Sequence, residues 1–499
     1  MLAVIAVVGA TKLTQPFFGD QALFMVGARE IGHGAVLYRD FWDIKQPAIF
    51  LYYLLAGAVG GYNEVSVHAL ELVTLVGFSL VLQQTGRRLV RVRWVASVLP
   101  LFVVGVFYAG ARPWELTQIE GMIGFPLYVS VWLALRSLDP GDRRARLVGS
   151  GVAAGVAVLF KWVCLPLVAP AWIVAIVVDA RRRRDGRVRR GMGTVAWITF
   201  GIALPLAPFV LYFAAHGLLG EIGWTYVVYT PKTTGIAGRP LSRLVDGVTR
   251  FVALSAPVML LAALGLVQAV RSHRDRWSLA FAGWIALAVP VTLTQHWWPY
   301  QMAVFAVPVA FFGARGLEVV AHSWRRLASR ARVAIVFVLT LSAVPAGLTL
   351  AKATVRSAGH GFGVTAPERR ALQNQAEPQY RTGRAFARFV DEHTRPGQPV
   401  YVLGNPIDLY LSGRDQAIPT NGWAAEQYDA KVWHRITDGL ATKRPVVLAV
   451  DDFSMEKMKE RSPATLAVVE RLYCPVHRTG GETWYVLRAS DAACPALPR

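Results

Sequence analysis

The sequence predicts a polytopic α-helical membrane protein, with about eleven transmembrane helices and juxtamembrane helices in a first outward loop, followed by a small C-terminal α/β extracytoplasmic domain. Three observations carry that expectation. First, 54% of the 499 residues are hydrophobic and the mean hydropathy is +0.38, yet the formal net charge is +21. Soluble domains rarely combine the two, whereas membrane proteins separate apolar runs by short basic loops. Second, the arginines gather directly after apolar runs: Arg87, Arg88, Arg91 and Arg93; Arg143, Arg144 and Arg146; 181–190; Arg325, Arg326, Arg330 and Arg332. Third, the composition turns globular from about Pro367, where strand and helix patterns alternate.

The positive balance invites a nucleic-acid reading, but that needs a stripe of cations along one folded face. Clusters at the ends of apolar runs instead fit loops retained on the cytoplasmic side. The expected partners are therefore membrane lipids, anionic headgroups included, and no nucleic acid. Three cysteines exclude a disulfide scaffold or a Cys-rich metal site. Cys164 lies inside an apolar run and reads as a core residue. Cys474 and Cys494 share the C-terminal part, where a disulfide is open if that part is extracytoplasmic.

In chain order, MLAVIAVVGA is apolar but short of the roughly twenty residues a span needs. It has neither a basic n-region nor a cleavage signature, so it reads as part of a first helix rather than a signal peptide. A polar island follows from Phe17 to Pro47, holding Asp20, Arg29, Glu30, His33, Arg39, Asp40, Asp43 and Lys45 among aromatics. Hydrocarbon cannot host so many unpaired charges, and a connector this long beside a membrane is uncommon. The island is therefore expected to be a site at the membrane surface.

The apolar stretch after Pro47 is only about fourteen residues and reads as a juxtamembrane or re-entrant helix. Spans are then expected near 64–85, 94–110, 119–136, 147–160, 163–179, 192–214, 251–271, 277–293, 300–318 and 333–351. This division puts every arginine cluster on one side. The polar island, 111–118, 216–250, 296–300 and everything after Lys352 fall on the other. The membrane domain is expected over 1–355 and the soluble α/β domain over 366–499. In the latter, FARFVDEH, IDLYLSG and SMEKMKERSPATLAVVERLY read as helices and PVYVLGNP, RPVVLAV and ETWYVLR as strands. It carries no P-loop, GxGxxG or zinc pattern, so it is expected to cap or support rather than catalyse.

Asp20 is the first candidate for chemistry. A carboxylate flanked by aromatics at a membrane–water boundary suits a general base toward a hydroxyl. It equally suits the N-cap of the run QALFMVGAREI, and the two roles are compatible. In YRDFWDIKQP, Asp40, Asp43 and Lys45 alternate with aromatics. Lys45 suits a phosphate, while Trp42 and Tyr38 suit a sugar face. The same pattern also fits an interfacial anchor. Other polar features on that side are Arg112, Glu115 and Glu120 in RPWELTQIE, and Lys232 and Arg239 in a Gly/Pro-rich loop expected to form a mobile lid. His296, Trp297, Trp298 and Tyr300 join two spans, where an aromatic belt is the simpler reading. Lys161 ends a span and suits either snorkelling or phosphate contact.

A short first helix, an aspartate, then LYRDFWDIKQP leading into a helix resembles the polyprenyl-phosphate-dependent GT-C glycosyltransferases, in particular the protein O-mannosyltransferase and lipid A aminoarabinose transferase relatives. The segments TQIEG, FKW, QHWWPYQMAVFAVPVAFFGA and GNPIDLYLSGR are similar in the same order, so the resemblance covers nearly the whole chain. It implies a membrane glycosyltransferase moving a sugar from a polyprenyl-phosphate donor to a hydroxyl of a glycan, lipid or protein acceptor. Asp20 matches the catalytic aspartate of the first loop and Lys45 the lysine contacting donor phosphate. On the mechanism this suggests, Arg112, Lys161 or Arg239 is expected to join Lys45 in stabilising the departing phosphate. Tyr38, Asp40, Trp42, Asp43, Glu120, His296 and Tyr300 are the expected substrate contacts. The bacterial inner membrane is the expected location, with the active site on its outer face.

The chain departs from the family pattern in three places. Gln21 stands where a second acid is common, which leaves a divalent metal open as a cofactor but less secure. Gln46 interrupts the usual Lys-Pro-Pro. Pro299 replaces the acid of the Trp-Trp-Asp motif, arguing against the asparagine-glycosylating branch. The rival class is a lipid or sugar transporter, which places polar residues at mid-membrane, often on inverted repeats. This chain shows no internal repeat and gathers its polar residues in one loop.

Overall fold

A computed structural model describes residues 1–181, 187–271, 275–479, 481–489 and Cys494, with side chains 187–190 outside that set. The expected arginine cluster at 181–190 and residues 272–274 thus lie largely outside the described residues. The chain divides into two compact units. Met1–Leu13, His68–Phe213 and Pro240–Gly359 form one, and Thr14–Val67, Ala214–Arg239 and His360–Arg499 the other.

The first unit is helical. Among the described residues nine helical segments, from Glu64–Leu89 to Ser329–Ala358, are long and apolar enough to cross a membrane. The expected count of about eleven added the opening helix α1 (Leu2–Ala10) and split the run around Lys161. That run, Arg143–Arg181, is 39 residues long. It is interrupted where Lys161 turns extended (φ −163°, ψ 94°) and a 3-10 turn with Pro166 follows. Cys164 is buried in that turn, as expected of a core residue. Arg136 and Arg276, far apart in sequence, both reach Asp139, at 2.5 and 2.6 Å. Arginines at the ends of two apolar helices, Ile119–Arg136 and Arg276–Leu293, thus meet on one acid.

Where all helix surfaces are greasy, close approach rather than hydrophobic contrast drives helix pairing. Leu241–Arg271 and Ala306–Ser323 show it. A Cβ on Gly265 would stand 2.0 Å from the Phe312 carbonyl oxygen, and one on Gly316 1.8 Å from that of Leu261. Only glycine permits backbones this close. Gly316→Val should force these helices apart, with a cost of roughly 2 kcal/mol or more. The measurement is thermal unfolding in detergent, where a clear fall in Tm is expected.

The second unit contains the polar island and the α/β part. Helix α2 (Gly19–Gly32) packs on α3 (Pro47–Gly60) through Phe24 and Phe50, ring centroids 5.7 Å apart, and Phe24 and Tyr53, at 5.5 Å. α3 is the expected short apolar helix, and Pro47 starts it where a missing N–H is harmless. The sheet runs β1 (Tyr401–Leu403), β2 (Val447–Asp451), β4 (Glu482–Leu487), β3 (Tyr473–Arg478) across its width. β1 and β2 are parallel, with Val402 beside Ala449, and the helix Ala430–Lys443 lies in the connection between them. The β2–β4 and β4–β3 pairs are antiparallel, the last with an irregularity at Pro475/His477. β3 and the helix Ala430–Lys443 were not among the expected elements. Cys474 in β3 is bonded to Cys494.

One expectation is corrected. The Gly/Pro-rich stretch expected as a mobile lid is helical, as Trp224–Tyr229 and Thr230–Ala237. Pro231 sits in the first turn, where its ring is tolerated. Lys232 pairs with Asp429 at 3.2 Å, and the Tyr229 hydroxyl donates to the Gln427 carbonyl at 3.0 Å.

Two acids are buried together in the α/β part. The Gln379 amide donates to both Asp408 carboxylate oxygens, at 3.0 and 2.9 Å, and the Trp484 indole donates to Glu482. Burial, then the neighbouring Glu482, pushes the Asp408 carboxyl well above the usual carboxylate range. An acid whose folded pKa is raised binds its proton more tightly when folded. Its contribution is therefore fully present below the unfolded value near 4 and is lost as pH rises through the folded one. Asp408→Asn should flatten the decline of Tm from about pH 5 to 8, since one such group accounts for up to about 1.4 kcal/mol per pH unit. An unchanged slope would contradict it.

Candidate active site

The site in the second unit starts from how α2 begins. Phe17 is buried against Tyr410, centroids 5.2 Å apart, and its N–H donates to the Tyr380 hydroxyl at 2.8 Å. That hydroxyl donates in turn to Glu64 at 2.7 Å. The chain therefore enters the helix from a fixed point. Phe18 takes the extended N-cap position, and its N–H is satisfied by the Gln21 side chain at 2.6 Å. Gln21 thus does part of the capping work. Asp20 lies inside the first turn, so the N-cap reading does not describe it. Its carboxylate is turned to other partners, at a helix end where the macrodipole favours negative charge.

Those partners are Lys45 and Trp423. The Lys45 ammonium is 3.7 Å from Asp20 Oδ1 and 4.0 Å from Asp43 Oδ1, and lies 5.5 Å from the centre of the Phe24 ring. The Trp423 indole N–H donates to Asp20 Oδ1 at 2.9 Å. Both charged side chains keep about a quarter of their surface exposed, 22% for Asp20 and 26% for Lys45. The pair is thus neither fully buried nor fully exposed.

Asp43 holds the lysine loop in place. Its Oδ1 accepts the Lys45 backbone N–H at 2.7 Å and its Oδ2 the Asn421 amide at 3.0 Å. Burial pushes the Asp43 carboxyl up, opposed by the Lys45 charge and these hydrogen bonds. Asn421 also donates to the Trp42 carbonyl at 2.9 Å, and Trp42 N–H donates to the Pro419 carbonyl at 2.7 Å. Trp42 and Tyr38, expected to face a sugar, are 2% and 3% exposed. The Trp42 indole donates to Thr225 at 3.1 Å and the Tyr38 hydroxyl to the Lys45 carbonyl at 2.9 Å, so both serve the packing of the loop. Asp40 accepts the Val36 N–H at 2.8 Å and pairs with Arg39, shaping a turn. Arg239 is exposed beyond the helix Thr230–Ala237.

The remaining expected residues belong to the first unit. Lys161 pairs with buried Glu120. The Arg112 guanidinium lies 5.8 Å from the centre of the Trp114 ring, and Tyr300 meets the same Trp114 edge-on at 5.9 Å. His296 is half-buried in the loop before the 3-10 turn Pro299–Phe305. Glu115 forms an ion pair with Arg250 at 2.9 Å, a partner not singled out from the sequence. Tyr300, Glu115 and Arg250 also line an apolar pocket of about 100 Å³ with Phe107, Leu254 and Val258.

The structure brings Asp20, Lys45 and Asp43, singled out from the sequence, together with Asn421 and Trp423, which were not. The segment TNGWAAE carries no charge except its last residue, so nothing in its composition marks it. Its geometry does. A Cβ on Gly422 would stand 1.9 Å from the Val402 carbonyl oxygen of β1, and Ala424 takes a left-handed conformation (φ 66°). As for a divalent metal, the cation between the two acids is the Lys45 ammonium. Among the described residues no group of three or more His, Cys, Asp or Glu gathers to hold one.

This architecture is the GT-C fold. The structure of ArnT from Cupriavidus metallidurans bound to undecaprenyl phosphate matches with a TM-score of 0.60 at 15% identity, covering 99% of this chain and 98% of that one. Its apo state gives 0.61 over the same shares. The archaeal oligosaccharyltransferase AglB from Archaeoglobus fulgidus, in complex with an inhibitory peptide and a dolichol-phosphate, gives 0.52 at 13% identity, over 99% of this chain and 74% of its own. No family model and no curated protein matches the chain. The resemblance read from the short motifs therefore holds at the level of the fold.

Replacing Asn421 with Ala would leave buried Asp43 short of a donor. A loss of about 1–3 kcal/mol is expected, read as a fall in Tm, with the lysine loop loosened.

Proposed function

We propose that the protein transfers a sugar from a polyprenyl-phosphate donor to an acceptor hydroxyl, with inversion, and that Asp20 is the general base. The single observation that carries this reading is the Asp20–Lys45 pair, 3.7 Å apart and about one-quarter exposed. Two proteins sharing the fold were solved with a polyprenyl-type phosphate, undecaprenyl phosphate in one and dolichol-phosphate in the other, which supports a lipid-linked donor.

The acceptor oxygen attacks the anomeric carbon from the face opposite the phosphate, as its O–H bond breaks and the proton passes to Asp20. The bond between the anomeric carbon and the phosphate oxygen breaks with its electron pair, releasing the polyprenyl phosphate. Lys45 offsets the charge that grows on the departing phosphate, in a partly shielded place where such a contact is stronger than in water. One displacement inverts the anomeric centre. Because phosphate leaves readily, removing the proton and aligning the acceptor are the demanding parts.

The reading places the protein in a bacterial inner membrane with the site and the α/β part outside. The Cys474–Cys494 bond supports this, because disulfides persist in oxidising compartments, and so do the arginine clusters between apolar runs. Asp20→Asn should lower transfer of a labelled sugar from its polyprenyl phosphate by about a hundredfold to ten-thousandfold in liposomes, with binding of the polyprenyl phosphate retained. Turnover within tenfold of the unaltered protein would rule out the base role. Flux of the labelled lipid across the bilayer without transfer would point to a transporter.

A further inference from the structure

We infer that Trp423 is a positioning residue for Asp20, so that the loop around 419–424 contributes to the reaction from within the α/β part. This deepens the reading of Asp20 as base and rests on it.

Three observations converge on the indole. It donates its N–H to Asp20 Oδ1 at 2.9 Å. It lies flat against Gly19, where a Cβ would stand 2.2 Å from the ring, so the residue before the aspartate must be glycine for the indole to reach it. Its own backbone is fixed: the Trp423 N–H donates to Asn421 Oδ1 at 3.0 Å, and the Tyr428 hydroxyl reaches the carbonyls of Asn421 and Trp423, at 2.5 and 2.6 Å.

The consequence lies in a distance. A carboxylate and an ammonium free to choose their geometry close to about 2.8 Å in a charge-assisted hydrogen bond. Asp20 and Lys45 stand 3.7 Å apart. The indole N–H is a second donor to Oδ1 and competes with the ammonium for that oxygen. Among the described residues Oδ2 accepts no hydrogen bond, and it is the atom on which an acceptor proton would land. Without the indole N–H, the carboxylate is released to swing onto Lys45. The base would then be tied up and the ammonium turned from phosphate. Trp423 would thus act through Asp20 rather than by touching the reacting atoms.

The test is an isostere. Benzothienylalanine at position 423 keeps the shape of tryptophan, replacing the indole N–H by sulfur. Transfer by the full-length protein in liposomes should show kcat lowered about tenfold or more, with KM for donor and acceptor within about twofold and Tm unchanged. Trp423→Ala, which also loses the packing on Gly19, should lower Tm as well. Unaltered kcat in the isostere would overturn the inference and reduce Trp423 to a packing residue, leaving the base role intact if Asp20→Asn is inactive. Near-normal turnover in Asp20→Asn would overturn both.

Discussion

A carboxylate and an ammonium held near each other without being allowed to close is the interaction on which the rest of the second unit depends. Asp20 and Lys45 come from the two ends of the polar island, one from the first turn of α2 and the other from the loop before α3. Each is held by a set of named neighbours. Tyr380 and Gln21 set the entry to α2, Asp43 sets the lysine loop, and Asn421 and Trp423 tie both to the sheet. A charged pair in a partly shielded place is stabilising only when its remaining hydrogen bonds are satisfied. Trp423 and Asn421, far from the polar island in sequence, supply donors to Asp20 Oδ1 and Asp43 Oδ2, within the one compact unit that holds the island and the α/β part.

Asp43 illustrates the division of labour. It was expected to meet substrate, yet it is buried, and its two oxygens are taken by the Lys45 backbone and Asn421. Trp42 and Tyr38 follow the same pattern. The acids and aromatics of YRDFWDIKQP mostly build the loop, and Lys45 is the member that faces Asp20.

Much of this fold was legible in the sequence because membrane helices announce themselves by long apolar runs, and α2, α3 and the strands β1, β2 and β4 by short periodic ones. What escaped notice did so for physical reasons. β3 reads YCPVHR, whose proline and charged end break the strand pattern, and an irregularity in the pairing accommodates them. The stretch 230–240 gathers Pro231, Gly235, Gly238 and Pro240 with three threonines, which suggests a loop. Its threonine hydroxyls instead fold back on carbonyls of the helix, as Thr230 does to Thr225 and Thr233 to Thr230. Asp20 and Lys45 were legible as charges out of place beside apolar segments. Asn421 and Trp423 were not, because a neutral amide and an indole acquire meaning only from the groups they face.

The central claim is that Asp20 and Lys45 share one site for a sugar phosphate carried on a prenyl chain. The most direct test is a cryo-electron-microscopy structure of the full-length protein with a non-hydrolysable polyprenyl-phosphate sugar bound. The account predicts the donor phosphate within hydrogen-bonding distance of Lys45 Nζ and the anomeric carbon within a hydroxyl's breadth of Asp20 Oδ2. Density for the phosphate in a place that neither side chain can reach would contradict it.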